Sequence, residues 1–128
     1  MKFRIDDDTL TVIFQGSEQF WALKRQLEIP KVNIVRARWQ QAATIPRREL
    51  GWRIGGSALP GLLFAGRFVG SQGMNFIYVQ RPHGLFGDIK FQHVLTMELR
   101  HSTYKRLIFT IDKPDIAEQI IAWWSSNI

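Results

Sequence analysis

With 128 residues, 45% of them apolar and 22% charged, the chain has the length and balance of a single globular domain, residues 1–128, and not of a disordered or collagen-like polymer. It contains no cysteine, which excludes a disulfide framework, a thiol nucleophile and a thiolate metal site. The net charge of +6 is uneven: segments 1–35, 36–67, 68–111 and 112–128 carry 0, +5, +3 and −2, so the positive excess lies in the middle of the chain, where it would steer an anionic partner.

The first predicted elements are KFRI and TLTVIF, whose alternation puts Phe3, Ile5, Leu10, Val12 and Phe14 on one face of a hairpin. Asp6-Asp7-Asp8 fills the turn. Aspartate is a frequent turn former and neighbouring strand residues point to opposite faces, so the run reads as a turn and not as a metal site. GSEQFWALKRQLEIP predicts a helix with Ser17 as N-cap, Phe20, Leu23 and Leu27 at helical spacing, and Pro30 as its end. KVNIVRARW predicts a strand that leaves Arg36 and Arg38 on the side of Val32 and Ile34.

Residues 40–61 are the least regular part of the chain and are expected to form a loop, with Gly51, Gly55, Gly56 and Gly61 supplying left-handed φ angles and Gly66 easing a bend or close packing in the strand that follows. LLFAGRFV and MNFIYVQ predict a hairpin across Gly70-Ser71-Gln72-Gly73, and HVLTMEL and YKRLIFTI predict another across 100–103. LFGDIKF is a weak strand or turn. In the last hairpin Leu95, Met97 and Leu99 share a face with Leu107, Phe109 and Ile111, leaving Glu98, Arg100 and Arg106 outside. A terminal helix follows, with Asp112 as cap, Pro114 in the first turn and Ile116, Ile120, Trp123 and Trp124 on its apolar side; it is expected to cover one end of the sheet.

Several short antiparallel strands followed by one capping helix define an α+β, mainly β class. The passages FWALKRQLEIPKVNIVRAR, GWRIGGSALPGLLFAGRF with the FIYV strand, and YKRLIFTIDKP resemble a family of uncharacterised bacterial pleckstrin-homology-like (PH-like) domain proteins. The resemblance spans nearly the whole chain and implies a PH-like, partly open antiparallel barrel of about seven strands capped by the C-terminal helix. It implies little chemistry. Relatives of this fold bind inositol phosphates through basic residues of the first hairpin, but here that tip is Asp6-Asp7-Asp8, which would repel phosphate.

No catalytic signature stands out. The glycine-rich stretch contains neither G-x-x-x-x-G-K-[ST] nor G-x-G-x-x-G, and an apolar strand follows it where a phosphate loop needs a helix N-terminus. The serines lack a G-x-S-x-G context, and His83, His93 and His101 lie apart in the sequence. No catalytic residue, cofactor or metal is expected. The N-terminal MKFRIDDDTL has no apolar signal core, and the apolar runs fall far below the ~20 residues of a membrane helix, so the expected location is cytoplasmic.

The expected function is that of a non-catalytic interaction module that binds a protein partner or itself, using the segment from Gln40 to Pro60. The candidate partner-binding residues are Trp39, Arg47, Arg48, Trp52, Arg53 and Arg67. The alternative is an anion-binding module for nucleic acid or an acidic membrane surface, with Arg36 and Arg38 joining the other arginines of the basic 36–67 region and the tryptophans offering stacking faces.

Overall fold

The computed structural model describes residues 1–41, 52–59, 63–71, 73–80, 93–111 and 113–126. Strands β1 (Lys2–Ile5) and β2 (Thr9–Ile13) form the expected hairpin, with Phe3 opposite Val12 and Ile5 opposite Leu10; the Asp6 N–H donates to the Thr9 carbonyl at 2.9 Å and closes the acidic turn. Leu10, Val12 and Phe14 are buried as the alternation requires, whereas Ile5, at the end of an edge strand, is exposed.

The helix expected through Leu27 stops early. Helix α1 (Ser17–Ala22) has Gly16 at its N-cap position, so Ser17 is inside the helix, and Leu23 ends it in the left-handed conformation at φ 57°. Leu27 instead belongs to β3 (Gln26–Pro30), where buried Leu27 and Ile29 alternate with exposed Gln26, Glu28 and Pro30. A period of two, satisfied by pairing with β2, wins over the helical spacing of Phe20, Leu23 and Leu27.

A 3-10 turn at Lys31–Asn33 leads into β4 (Ile34–Gln41). Its register against β8 (His93–Leu99) slips between Ile34 and Arg36. This bulge adds one residue, Val35, so Ile34 and Ala37 both turn inward while Arg36 and Arg38 stand exposed. The arginines expected beside Ile34 are therefore on the other side of the strand.

Part of the expected 40–61 loop is also a strand. β5 (Trp52–Leu59) pairs with β6 (Leu63–Gly70), and Gly55, expected in a turn with a left-handed φ, is an ordinary strand residue opposite Arg67. Gly66 does take an unusual φ of 118° within β6. The hairpin of β6 with β7 (Gly73–Gln80) closes at the Gly70–Gly73 pair. Glycine is required at 73 twice over: φ is 127°, and a Cβ there would lie 2.7 Å from the Lys105 Cγ. β8 and β9 (Arg106–Thr110) form the last hairpin as expected.

Among the described residues nine strands make two sheets, β1-β2-β3 and β4-β8-β9-β7-β6-β5. All neighbours run antiparallel except β7 and β9, which are parallel with Phe76 beside Leu107 and Tyr78 beside Phe109. The fold is mainly β with a C-terminal helix, as expected; its strands form two packed sheets, and no closed barrel exists among the described residues. One core joins the sheets. Leu10, Val12, Leu27 and Ile29 of the small sheet, with Phe14 just after β2, meet Phe76, Tyr78, Leu95, Met97, Leu107 and Phe109 of the large one, with the Phe14 ring 5.6 Å from that of Phe76 and 5.8 Å from that of Tyr78.

The outer face of the large sheet is also partly apolar. Phe68, Ile77, Val79, Val94 and Ile108 form a second buried cluster there, with Asn75 and Thr96 buried beside them. The central strands are thus covered on both faces, where alternation predicted cover on one only. Helix α2 (Pro114–Ser125) packs against β4 and β1, burying Ala117 and Ile120 completely. Lys113 stands at its N-cap without a side-chain cap; the expected cap Asp112, like the LFGDIKF segment, lies outside the described residues. Trp124 Nε1 donates to the Ile34 carbonyl at 3.0 Å and Trp123 Nε1 to the Asp7 carbonyl at 3.3 Å, so the helix is bonded to both sheets.

Candidate interaction surfaces

Of the six candidate residues, Trp39 and Arg67 are described with their side chains, and they lie far apart in the large sheet. Trp39 is half-buried in β4, opposite Leu95, with its ring stacked on His93 at 5.5 Å and its body packed on the core. Packing accounts for it, since a large aromatic ring contributes mainly through burial. Arg47 and Arg48 lie outside the described residues, and for Trp52 and Arg53 the description is limited to the backbone, which pairs with Val69 and Phe68 in β5 and β6. Arg67 is exposed in β6, its guanidinium lying over Gly55, in register with core-facing Phe76. Four strand spacings separate β4 from β6 in the sheet order, roughly 19 Å, so Arg67 and Trp39 cannot grip one small ligand.

What the structure does assemble is a pair of exposed cations on the outer face of β4. Arg36 is in register with Glu98 of β8, and Arg38 with Thr96. The Arg106 guanidinium lies 3.9 Å from Glu98, a long ion pair, while Arg36 and Arg38 have no ion pair or side-chain hydrogen bond among the described residues. Two residues along one strand put their Cα atoms about 7 Å apart on the same face. Val35 at the bulge is 49% exposed, giving the strand a small apolar step next to its positive charge.

A second basic surface, unforeseen in the sequence, lies where α1 ends. Leu23 is 62% exposed, and with Lys24, Arg25, Gly16 and Gln19 it lines an open depression of about 550 Å³. The Lys24 ammonium sits 5.7 Å from the centre of the Tyr104 ring, which fixes its stem, and the Arg25 side chain has no partner among the described residues. Reading 17–29 as one helix hid this corner. Only the left-handed turn at Leu23 presents the three side chains together, and leucine carries no signal for such a turn.

Glu18, in α1, receives the Met1 ammonium at 2.6 Å and the Gln15 N–H at 2.9 Å. Tyr78 is buried near it, and burial, with a smaller contribution from the Glu18 charge, pushes the phenol up to about 12. The phenol is therefore held neutral well above the usual tyrosine range. Among the described residues no group of three or more His, Asp or Glu is placed to hold a metal ion, and no helix is long and apolar enough to cross a membrane. Comparison with protein-family models, curated proteins and solved structures gives no significant match to this chain.

Proposed function

We propose that this chain is a non-catalytic interaction module of the cytoplasm that docks an acidic protein surface against β4. The observation that carries this reading is the pair Arg36 and Arg38, without a side-chain partner among the described residues and turned outward by the bulge at Val35 on the edge strand of the large sheet. An edge strand offers backbone groups as well as side chains, so charge and strand pairing would act on one partner. The PH-like kinship belongs to the same proposal. Two antiparallel hairpins and a C-terminal helix closing one side support it, while the parallel β7–β9 pair departs from an antiparallel barrel.

The second reading, an anion-binding module for nucleic acid or an acidic membrane, rests on the same arginines and separates by probe. Parent protein and an Arg36→Glu, Arg38→Glu variant are titrated with a polyglutamate peptide, a single-stranded oligonucleotide and anionic vesicles at two salt concentrations. Both positions are exposed, so the variant should keep the parent's stability to within ~0.5 kcal/mol. The expected result is peptide binding that the variant loses and that weakens with salt. Binding of the oligonucleotide or vesicles alone would favour the second reading, and equal binding by parent and variant would remove β4 from the account.

A further inference from the structure

The two ends of the small sheet differ in charge. At one end the three carboxylates of Asp6, Asp7 and Asp8 are exposed and make no ion pair or side-chain hydrogen bond among the described residues. Their backbone is fixed on three sides: Asp6 by Thr9, the Asp7 carbonyl by the Trp123 indole, and the Asp8 carbonyl by the Lys31 N–H at 2.7 Å. The tip is therefore a rigid acidic knob. Apolar surface flanks it, because Ile5 is 36% and Val32 71% exposed.

At the other end is the depression of Leu23, Lys24 and Arg25, with two cations beside an exposed leucine. Leu23 carries two local costs, an apolar side chain in water and a left-handed backbone that glycine would adopt without strain. We propose that this depression is a docking site for a second copy of the chain, which inserts its Asp6–Asp8 tip between Lys24 and Arg25 and lays its Ile5 and Val32 against Leu23.

The partner must be another molecule. β2 runs from Thr9, beside the tip, to Ile13, just before the depression, and with the flanking residues this rigid path is about 20 Å long, too far for a chain to dock into itself. The contact joins two different surfaces, so each copy both gives a tip and receives one. It uses neither Arg36 nor Arg38, and its failure would leave the β4 reading untouched.

Sedimentation of the full chain over a concentration series, at low and high salt, tests the proposal. The parent should associate with a Kd on the order of 100 μM at low salt and less tightly at high salt. A Lys24→Glu, Arg25→Glu variant, acidic at both ends, and an Asp6→Lys, Asp7→Lys, Asp8→Lys variant, basic at both ends, should each associate at least ~10-fold more weakly than the parent. Mixed in equal amounts, the two variants should associate again, since each tip now faces a site of opposite sign. Leu23→Gly should melt higher than the parent yet associate more weakly. Circular dichroism checks that each variant is folded. A parent that stays monomeric, including one that binds anionic vesicles instead, would overturn the proposal, as would a mixture that stays apart or a Leu23→Gly chain that associates as tightly as the parent.

Discussion

Tyr78 shows how one hydroxyl sets a stability profile. Its phenol is pushed up to about 12 in the folded protein, first by burial and then by Glu18, against 10.0 for an ordinary tyrosine. Below pH 10 the hydroxyl is neutral in both states and costs nothing extra. Above pH 10 the unfolded chain releases this proton while the folded one keeps it, so stability falls as pH rises, until the folded phenol also ionises near 12. At ~1.4 kcal/mol per pH unit the loss across that window is on the order of 3 kcal/mol. Urea melts of parent and Tyr78→Phe at pH 8, 10 and 11.5 isolate it, because lysine titration is common to both. The parent should lose stability relative to the variant from pH 10 upward; parallel profiles would show that the hydroxyl is not held neutral.

At the scale of elements, α2 is bonded to both sheets. Ile120 is fully buried, and truncation to alanine should cost ~2–5 kcal/mol in a denaturant melt. Trp124→Phe keeps most of the ring but leaves the Ile34 carbonyl without its donor, an expected loss of about 1 kcal/mol, or slightly more if water cannot reach the carbonyl. This helix was legible in the sequence because its pattern is local: proline at the first turn, then Ile116, Ile120 and Trp124 at helical spacing. The first and last hairpins were legible for the same reason, with alternation broken only at a turn. β3 was hidden because Leu23 and Leu27 fit a helix as well as Leu27 and Ile29 fit a strand, and only pairing with β2 decides between them. β5 was hidden because Gly55 and Gly56 announce a turn, while their strand character comes from β6 across the ladder. The placement of the arginines was the least legible. A single bulge at Val35 reversed Arg36 and Arg38, and sheet order, which no local spacing encodes, carried Arg67 far from Trp39.

Across the whole molecule, the large sheet is assembled from the β6–β7 hairpin and the β8–β9 hairpin, joined where β7 and β9 run parallel, Asn75 beside Arg106 through Tyr78 beside Phe109. Each hairpin pairs residues close in sequence, whereas the join brings together positions 75 and 106. The difference has a kinetic consequence. Closing a long loop costs entropy before the join returns any contact, so the hairpins should form first and the parallel join late in the folding reaction. Ile77 and Ile108 lie in register across that join and share the outer-face cluster. Ile77→Val should then destabilise by about 1 kcal/mol, mostly by speeding unfolding, with little change in the folding rate. Leu95→Ala, within the β8–β9 hairpin, should slow folding by a larger share of its own destabilisation. Stopped-flow folding arms measured on both variants check the order; a join that slowed folding as much as the hairpin would place it in the nucleus. A late join also means that a transient species with both hairpins formed would expose the facing edges of β7 and β9, two adhesive strands that the native sheet keeps out of reach of other chains.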